Sequence, residues 1–230
     1  HPRPRRPREA VSPDAAPELV FRLIGTWWPV ALDSDENARA SATDIARGTL
    51  GTADQNATPR RRMRDDLVDA ARAARDAQGR LLLLQTELSP NEPMSAMLTL
   101  FDDDRFHMSP SIGTNPQRVL SVLEEALPTT APEMAGTAVR RPFTDGEVVR
   151  THRVDESVEV EDGATFTRRR LVAHYWYPVP DSKKLSLVVL STPLGDIPNA
   201  LLAYFDAIVE VSGFRSAPET AVDAAGAAAR

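Results

Sequence analysis

The chain has no cysteine. That excludes disulfide staples, thiolate chemistry and cysteine-ligated metals, so packing alone must hold the fold. Lysine is almost missing: only Lys183 and Lys184 occur, and arginine carries nearly all the positive charge. With abundant alanine and aspartate, this bias points to a GC-rich, actinobacterial coding sequence before it points to any function. No run reaches the roughly 18 apolar residues a membrane span requires. There is no Walker loop, G-x-G-x-x-G, H-E-x-x-H or G-x-S-x-G elbow, so no catalytic residue, cofactor or metal is assigned. The net charge of −6 disfavours a general nucleic-acid partner. Neither a signal peptide nor a lipobox cysteine is visible, although the chain starts at His1. A cytoplasmic location is the expectation.

What is present divides into two tails and one domain. Residues 1–16 alternate proline with arginine, which suits neither helix nor sheet, and read as a disordered tail. Residues 216–230 are alanine-rich and read likewise. Residues 17–215 read as a single α+β domain, and no composition shift divides them.

The strongest local signal closes the domain. Leu185–Leu190 is a short apolar run ended by Pro193 and Gly195, which suits a buried strand. A helix follows. Asp196 is placed to cap it, and Pro198 falls in its first turn. Ile197, Leu201, Phe205 and Ile208, widened by Leu202 and Val209, form one apolar stripe, with Asp206 and Glu210 off it and Gly213 as the stop. Burying each such side chain contributes on the order of 1.5–3 kcal/mol.

Earlier in the chain, Leu19–Ile24 and Trp27–Leu32 flank Gly25-Thr26 and suggest an opening hairpin. Asp33 or Ser34 caps a helix that runs to about Arg47. Thr58-Pro59 starts a second helix that ends near Gly79. On that helix Arg61 with Asp65, and Arg62 with Asp66, stand at i,i+4, so its arginine run reads as a solvated, ion-paired face. Leu81–Leu88, read as central, and Met94–Phe101 pair across Ser89–Pro93. Asp102–Asp104 forms a polar loop without EF-hand spacing. Asn115-Pro116 starts a short helix to Ala126, and Pro128–Pro132 interrupts like a linker.

After Thr137 the period becomes two. Residues 147–160 and 165–177 flank Asp162-Gly163, a two-residue hairpin signal. That turn places Asp155 opposite Arg170 and Glu156 opposite Arg169, two complementary pairs. It also places His174 opposite Thr151 and His152 opposite Ala173, on opposite faces, which argues against a metal between the imidazoles. Leu185–Leu190 is then the third strand of the meander. Two aromatic sets are adjacent along strands, Trp27-Trp28 and Tyr175-Trp176-Tyr177. Neighbours on a strand face opposite ways, so these five are the candidate partner-binding residues.

The order of elements, the Gly-Thr-Trp-Trp turn at 25–28, and Ser191-Thr192-Pro193 followed by ALLAYFDAIVEVSGF at 200–214 resemble the PsbP-like superfamily, through its LpqN-type lipoproteins and Ran-binding Mog-type members. The resemblance implies an antiparallel sheet flanked by helices on both faces, an α/β/α sandwich. It implies a non-enzymatic binding or accessory module, with a protein partner or an apolar peptide segment, chaperone-like or serving a secretion or envelope system. The chain departs from LpqN in lacking the lipobox cysteine. The alternatives are an enzyme with a dispersed acid–base site and a structural homo-oligomer paired through a sheet edge.

Overall fold

The structure, a computed structural model, describes residues 17–102, 106–108, 110–161 and 164–215. Both predicted tails, Asp103, Asp104 and the Asp162-Gly163 turn lie outside the described residues.

The architecture is α+β. The strands are β1 (Glu18–Val20), β2 (Thr26–Pro29), β3 (Gly79–Ser89), β4 (Glu92–Phe101), β5 (Val139–Phe143), β6 (Gly146–Glu161), β7 (Ala164–Pro178), β8 (Leu185–Thr192) and β9 (Gly213–Arg215). The helices are α1 (Asp35–Leu50), α2 (Ala57–Asp76), α3 (Pro116–Thr130), α4 (Pro132–Ala135) and α5 (Pro198–Glu210). Seven strands form one antiparallel sheet in the order β2-β3-β4-β8-β7-β6-β5, and β1 pairs with β9 in a separate ribbon. Among the described residues no helix is long and apolar enough to cross a membrane.

Helices cover both faces. On one face α1 and α2 pack Ala42, Ile45, Leu67 and Ala71 against Leu82 and Leu84 of β3. Further along, α3 packs Leu120, Leu123 and Leu127 over Val149 and Leu185. The opposite face is covered by α5, whose Leu201, Leu202, Phe205 and Val209 meet Leu98, Ala173, Tyr175 and Leu190. The hairpin register is as the charge pattern predicts, with Asp155 paired to Arg170 and Glu156 to Arg169.

Other expectations are corrected. Leu19–Ile24 is not one arm of an opening hairpin. Only three residues form β1, which pairs with β9, while β2 pairs with β3. β3 is second from the sheet edge, and the centre is β8. Asp196 does not cap α5. Ile197 takes the cap position without a side-chain bond, is itself exposed, and Asp196 lies 3.8 Å from Arg169 instead. Asp206 is not on the solvent side, because it faces a buried arginine. The helix at Pro116 continues through Pro128 to Thr130, since buried Leu123 and Leu127 hold its last turns. Asp65 is bound by the adjacent Arg64 at 2.7 Å.

The Gly25 turn shows why its sequence is what it is. Gly25 has φ +85°, and a Cβ there would overlap the Glu87 carbonyl oxygen. Side chains rarely adopt that region and cannot occupy that space. We expect Gly25→Ala to cost about 2 kcal/mol in thermal or urea denaturation. The control Gly136→Ala, with open space around it, should stay within about 0.5 kcal/mol. Equal effects for the two would show that the turn tolerates a side chain.

A cleft where the central strand ends

β8 is buried along most of its length, from Leu185 to Thr192. Pro193 then stops it, because proline has no N–H to give to a ladder. Thr192 Oγ1 donates to the Ser95 carbonyl at 2.7 Å, and the Gly195 N–H donates to the Arg169 carbonyl at 3.1 Å. The chain leaves the sheet there. Gly195 is needed at that crossing, since a Cβ would lie 2.8 Å from the Arg169 carbonyl carbon.

The neighbours of β8 do not stop with it. β4 begins at Glu92 but pairs with β8 only from Met97 to Phe101. β7 begins at Ala164 but pairs with β8 only from Leu171 to Pro178. A gap remains between them, crossed by the Pro193–Gly195 segment where Gly195 bonds Arg169. On the face that carries α2 it opens into a cleft of about 720 Å³. Met63, Leu67 and Ala70 of α2, with Leu84 and Met97 of the sheet, give it an apolar floor. Arg62 and Asp66 stand on one rim, and Asp155, Arg168 and Arg170 on the other.

The rim charges are organised. Asp155 accepts from Arg153 Nε at 2.7 Å and from Arg170 at 3.0 Å. Burial pushes its carboxyl up, but the two guanidinium hydrogen bonds and their charges outweigh that and hold it below the usual carboxylate range. Asp155 is therefore an anchored anion near neutrality. Arg60, in the run read as solvated, reaches the Gly51 and Ala53 carbonyls at 2.9 and 2.7 Å and ties α1 to α2.

None of the five predicted aromatics lines this cleft. Trp27 and Trp28 are half-buried on opposite faces, and each belongs to a different core. Their indole N–H groups donate to the Ile24 carbonyl at 2.9 Å and to Thr86 Oγ1 at 3.0 Å. Tyr175 and Tyr177 are fully buried, so neither can meet a partner without opening the fold. Their hydroxyls bond Asp206 at 2.8 Å and Ser212 at 3.0 Å, and burial raises both phenols well above their ordinary value. Trp176 is half-buried beside Phe106, edge to face at 5.2 Å. The two tyrosines thus serve the core, while Trp27, Trp28 and Trp176 keep part of their surface exposed.

A second polar constellation lies between the sheet and α5. Arg150 Nη1 donates to Asp206 Oδ2 at 2.7 Å, Tyr175 donates to Oδ1 at 2.8 Å, and Arg141 Nε lies 3.1 Å from Oδ2. The Arg150 side chain is only 8% exposed. The signal that could have found it is the period of β6: Arg150 alternates with Val148 and Val154, which face the α5 layer. His152 and His174 sit on opposite faces, as the register requires. Burial lowers both imidazoles, and His174 falls to about 4. Among the described residues no three histidine or acidic side chains gather as a metal site.

The class these features define is an α+β protein with an antiparallel sheet between two helical layers. Comparison of the chain with protein-family models, with curated proteins and with solved structures finds no match.

Proposed function

We propose that this chain is a non-enzymatic binding module of the PsbP-like kind, acting in the cytoplasm, and that it takes a segment of a protein partner in the cleft beside α2. The family assignment is carried by the Gly25–Trp28 turn and the closing strand-proline-helix unit. The binding role is carried by one observation, the apolar floor of a 720 Å³ cleft under a rim of fixed charges. That volume is in the range of known ligand sites, which are apolar with a few oriented polar groups. Met63 and Met97 give the floor side chains that repack around varied apolar guests.

The test is selection of short unconstrained peptides from a display library, followed by fluorescence anisotropy on those enriched. Ser95 is exposed at the cleft, and Ser95→Arg should weaken binding at least about tenfold, roughly 1.4 kcal/mol. Met97→Arg should do the same by placing a charge on the floor. Unchanged melting of the Ser95 variant separates lost binding from lost fold. A library that yields no binder, or binders indifferent to both substitutions, refutes the role.

A further inference from the structure

The sheet is sealed on one side of its centre and not on the other. Under α5, Leu98 of β4, Leu190 of β8 and Ala173 of β7 stand in one row and are wholly buried. On the α2 face the same strands carry the row Thr99, Val189 and His174, and each of these keeps part of its surface exposed. The adjacent row is Met97, Ser191 and Val172. Met97 and Ser191 line the cleft, and two residues of strand, about 7 Å, separate the rows. The cleft floor therefore continues along the sheet as a half-open strip that ends at His174.

The strip ends on polar groups that lack partners. Among the described residues no hydrogen bond reaches the His174 imidazole. Thr151 Oγ1, directly across the ladder, and Trp176 Nε1, two residues along β7, are buried without a partner. Buried polar atoms are seldom left so. The charge beside them is already bound, since Arg153 donates to Asp155 at 2.7 Å and lies 3.7 Å from Glu133. Burial and that guanidinium keep the imidazole neutral at ordinary pH, so it offers one donor and one acceptor. A carboxylate or ammonium brought here would lose its water and find no free counter-ion. An apolar side chain would leave the imidazole unpaired. A carboxamide brings two donors and an acceptor without charge, where a hydroxyl brings a single donor. The geometry points to a glutamine or asparagine of the guest segment, its stem over Thr99 and Val189 and its amide on the His174 imidazole. This rests on the binding role proposed above and adds the side chain that the cleft selects.

The experiment takes the peptides enriched on the full chain and replaces their side chains one at a time. One glutamine or asparagine should recur, and changing it to the matching acid or to leucine should weaken binding at least about tenfold. His174→Leu should abolish that preference and bind the amide and leucine peptides alike, while Ser95→Arg weakens both. With the histidines of the unaltered chain isotopically labelled, the His174 ring resonances should shift when the amide peptide is added. Those of His152, on the other face, should stay, and this measurement depends on no variant that must fold. Three results overturn the inference: peptides with no recurring amide, an amide peptide that leaves the His174 ring unmoved, or a His174→Leu chain that still prefers the amide. Each leaves the binding role standing as long as Ser95→Arg still weakens binding. No bound peptide at all overturns both readings.

Discussion

Asp206→Ala should remove about 3–5 kcal/mol of stability, read as a lower urea midpoint at unchanged slope. The reason is what it leaves behind. Arg150 sits under α5 with its side chain 8% exposed, and its partner there is the Asp206 carboxylate at 2.7 Å. Without that carboxylate a guanidinium stays buried beside Tyr175, whose hydroxyl also loses its acceptor. Charges are not retained in such places uncompensated. Arg141, 41% exposed, can turn to water and should contribute little.

A second variant makes this a test of the pair rather than of the position. Replacing both charges, Arg150→Met with Asp206→Leu, removes the buried ion and its counter-ion together, so the double variant should be markedly more stable than Asp206→Ala alone. A double variant no better than the single one would show that the helix surface, not the ion pair, is what Asp206 maintains. Tyr175→Phe separates the third member. It removes one hydrogen bond while Arg150 still holds the carboxylate, and about 1 kcal/mol is expected.

The long hairpin is legible because several local signals agree: a two-residue turn that sets the register, an alternating pattern, and two opposite-charge pairs that suit that register. Asp155 with Arg170 and Glu156 with Arg169 are bonded as that register requires. The closing helix is legible from its stripe, but the stripe puts Asp206 on the solvent side, whereas it faces buried Arg150. A stripe drawn from apolar residues assigns every carboxylate to water, and only the unread partner, Arg150, reverses that. The pairing of β1 is hidden for a different reason. Leu19–Ile24 has a strand's composition, but its pairing partner β9 lies at the other end of the chain, and no local pattern encodes such a contact. The cleft was half legible. β6 and β7 span 16 and 15 residues while β8 spans 8. A short strand, ended by proline, beside a long hairpin already implies an overhang. That α2 walls the overhang is a tertiary fact, and the arginine run on that helix gave no hint of it. Of the aromatics, Tyr175 and Tyr177 are buried because the sheet is covered on both faces, which adjacency along a strand does not reveal.

The same covering makes His174 a source of pH-dependent stability. Its ring lies between Trp176, 6.4 Å away centroid to centroid, and Thr151 across the register. Burial first, and then the Arg153 charge, lower its pKa from 6.5 to about 4, while Glu133 opposes them weakly. A histidine depressed on folding binds its proton more readily in the unfolded chain, so the unfolded state gains from acid. Its contribution is therefore complete above pH 6.5, shrinks as the pH falls towards 4, and is gone below that. A shift of this size corresponds to about 3 kcal/mol in total, or a little over 1 kcal/mol per pH unit through the window, with partial solvent access trimming it. Asp155 adds in the same direction but lower, since its depressed carboxyl loses its contribution only as the pH falls below the ordinary carboxylate value of 3.8. Between pH 6.5 and 4.5 the slope should thus belong mainly to His174. Urea titrations across that interval should show stability rising with pH in the native chain and a much flatter profile in His174→Gln. His152→Gln, on the other face and less deeply depressed, should change the slope less. An unaltered slope in His174→Gln would assign the dependence to other groups and show that this imidazole finds enough water, or enough of Glu133, to take up its proton in the folded protein.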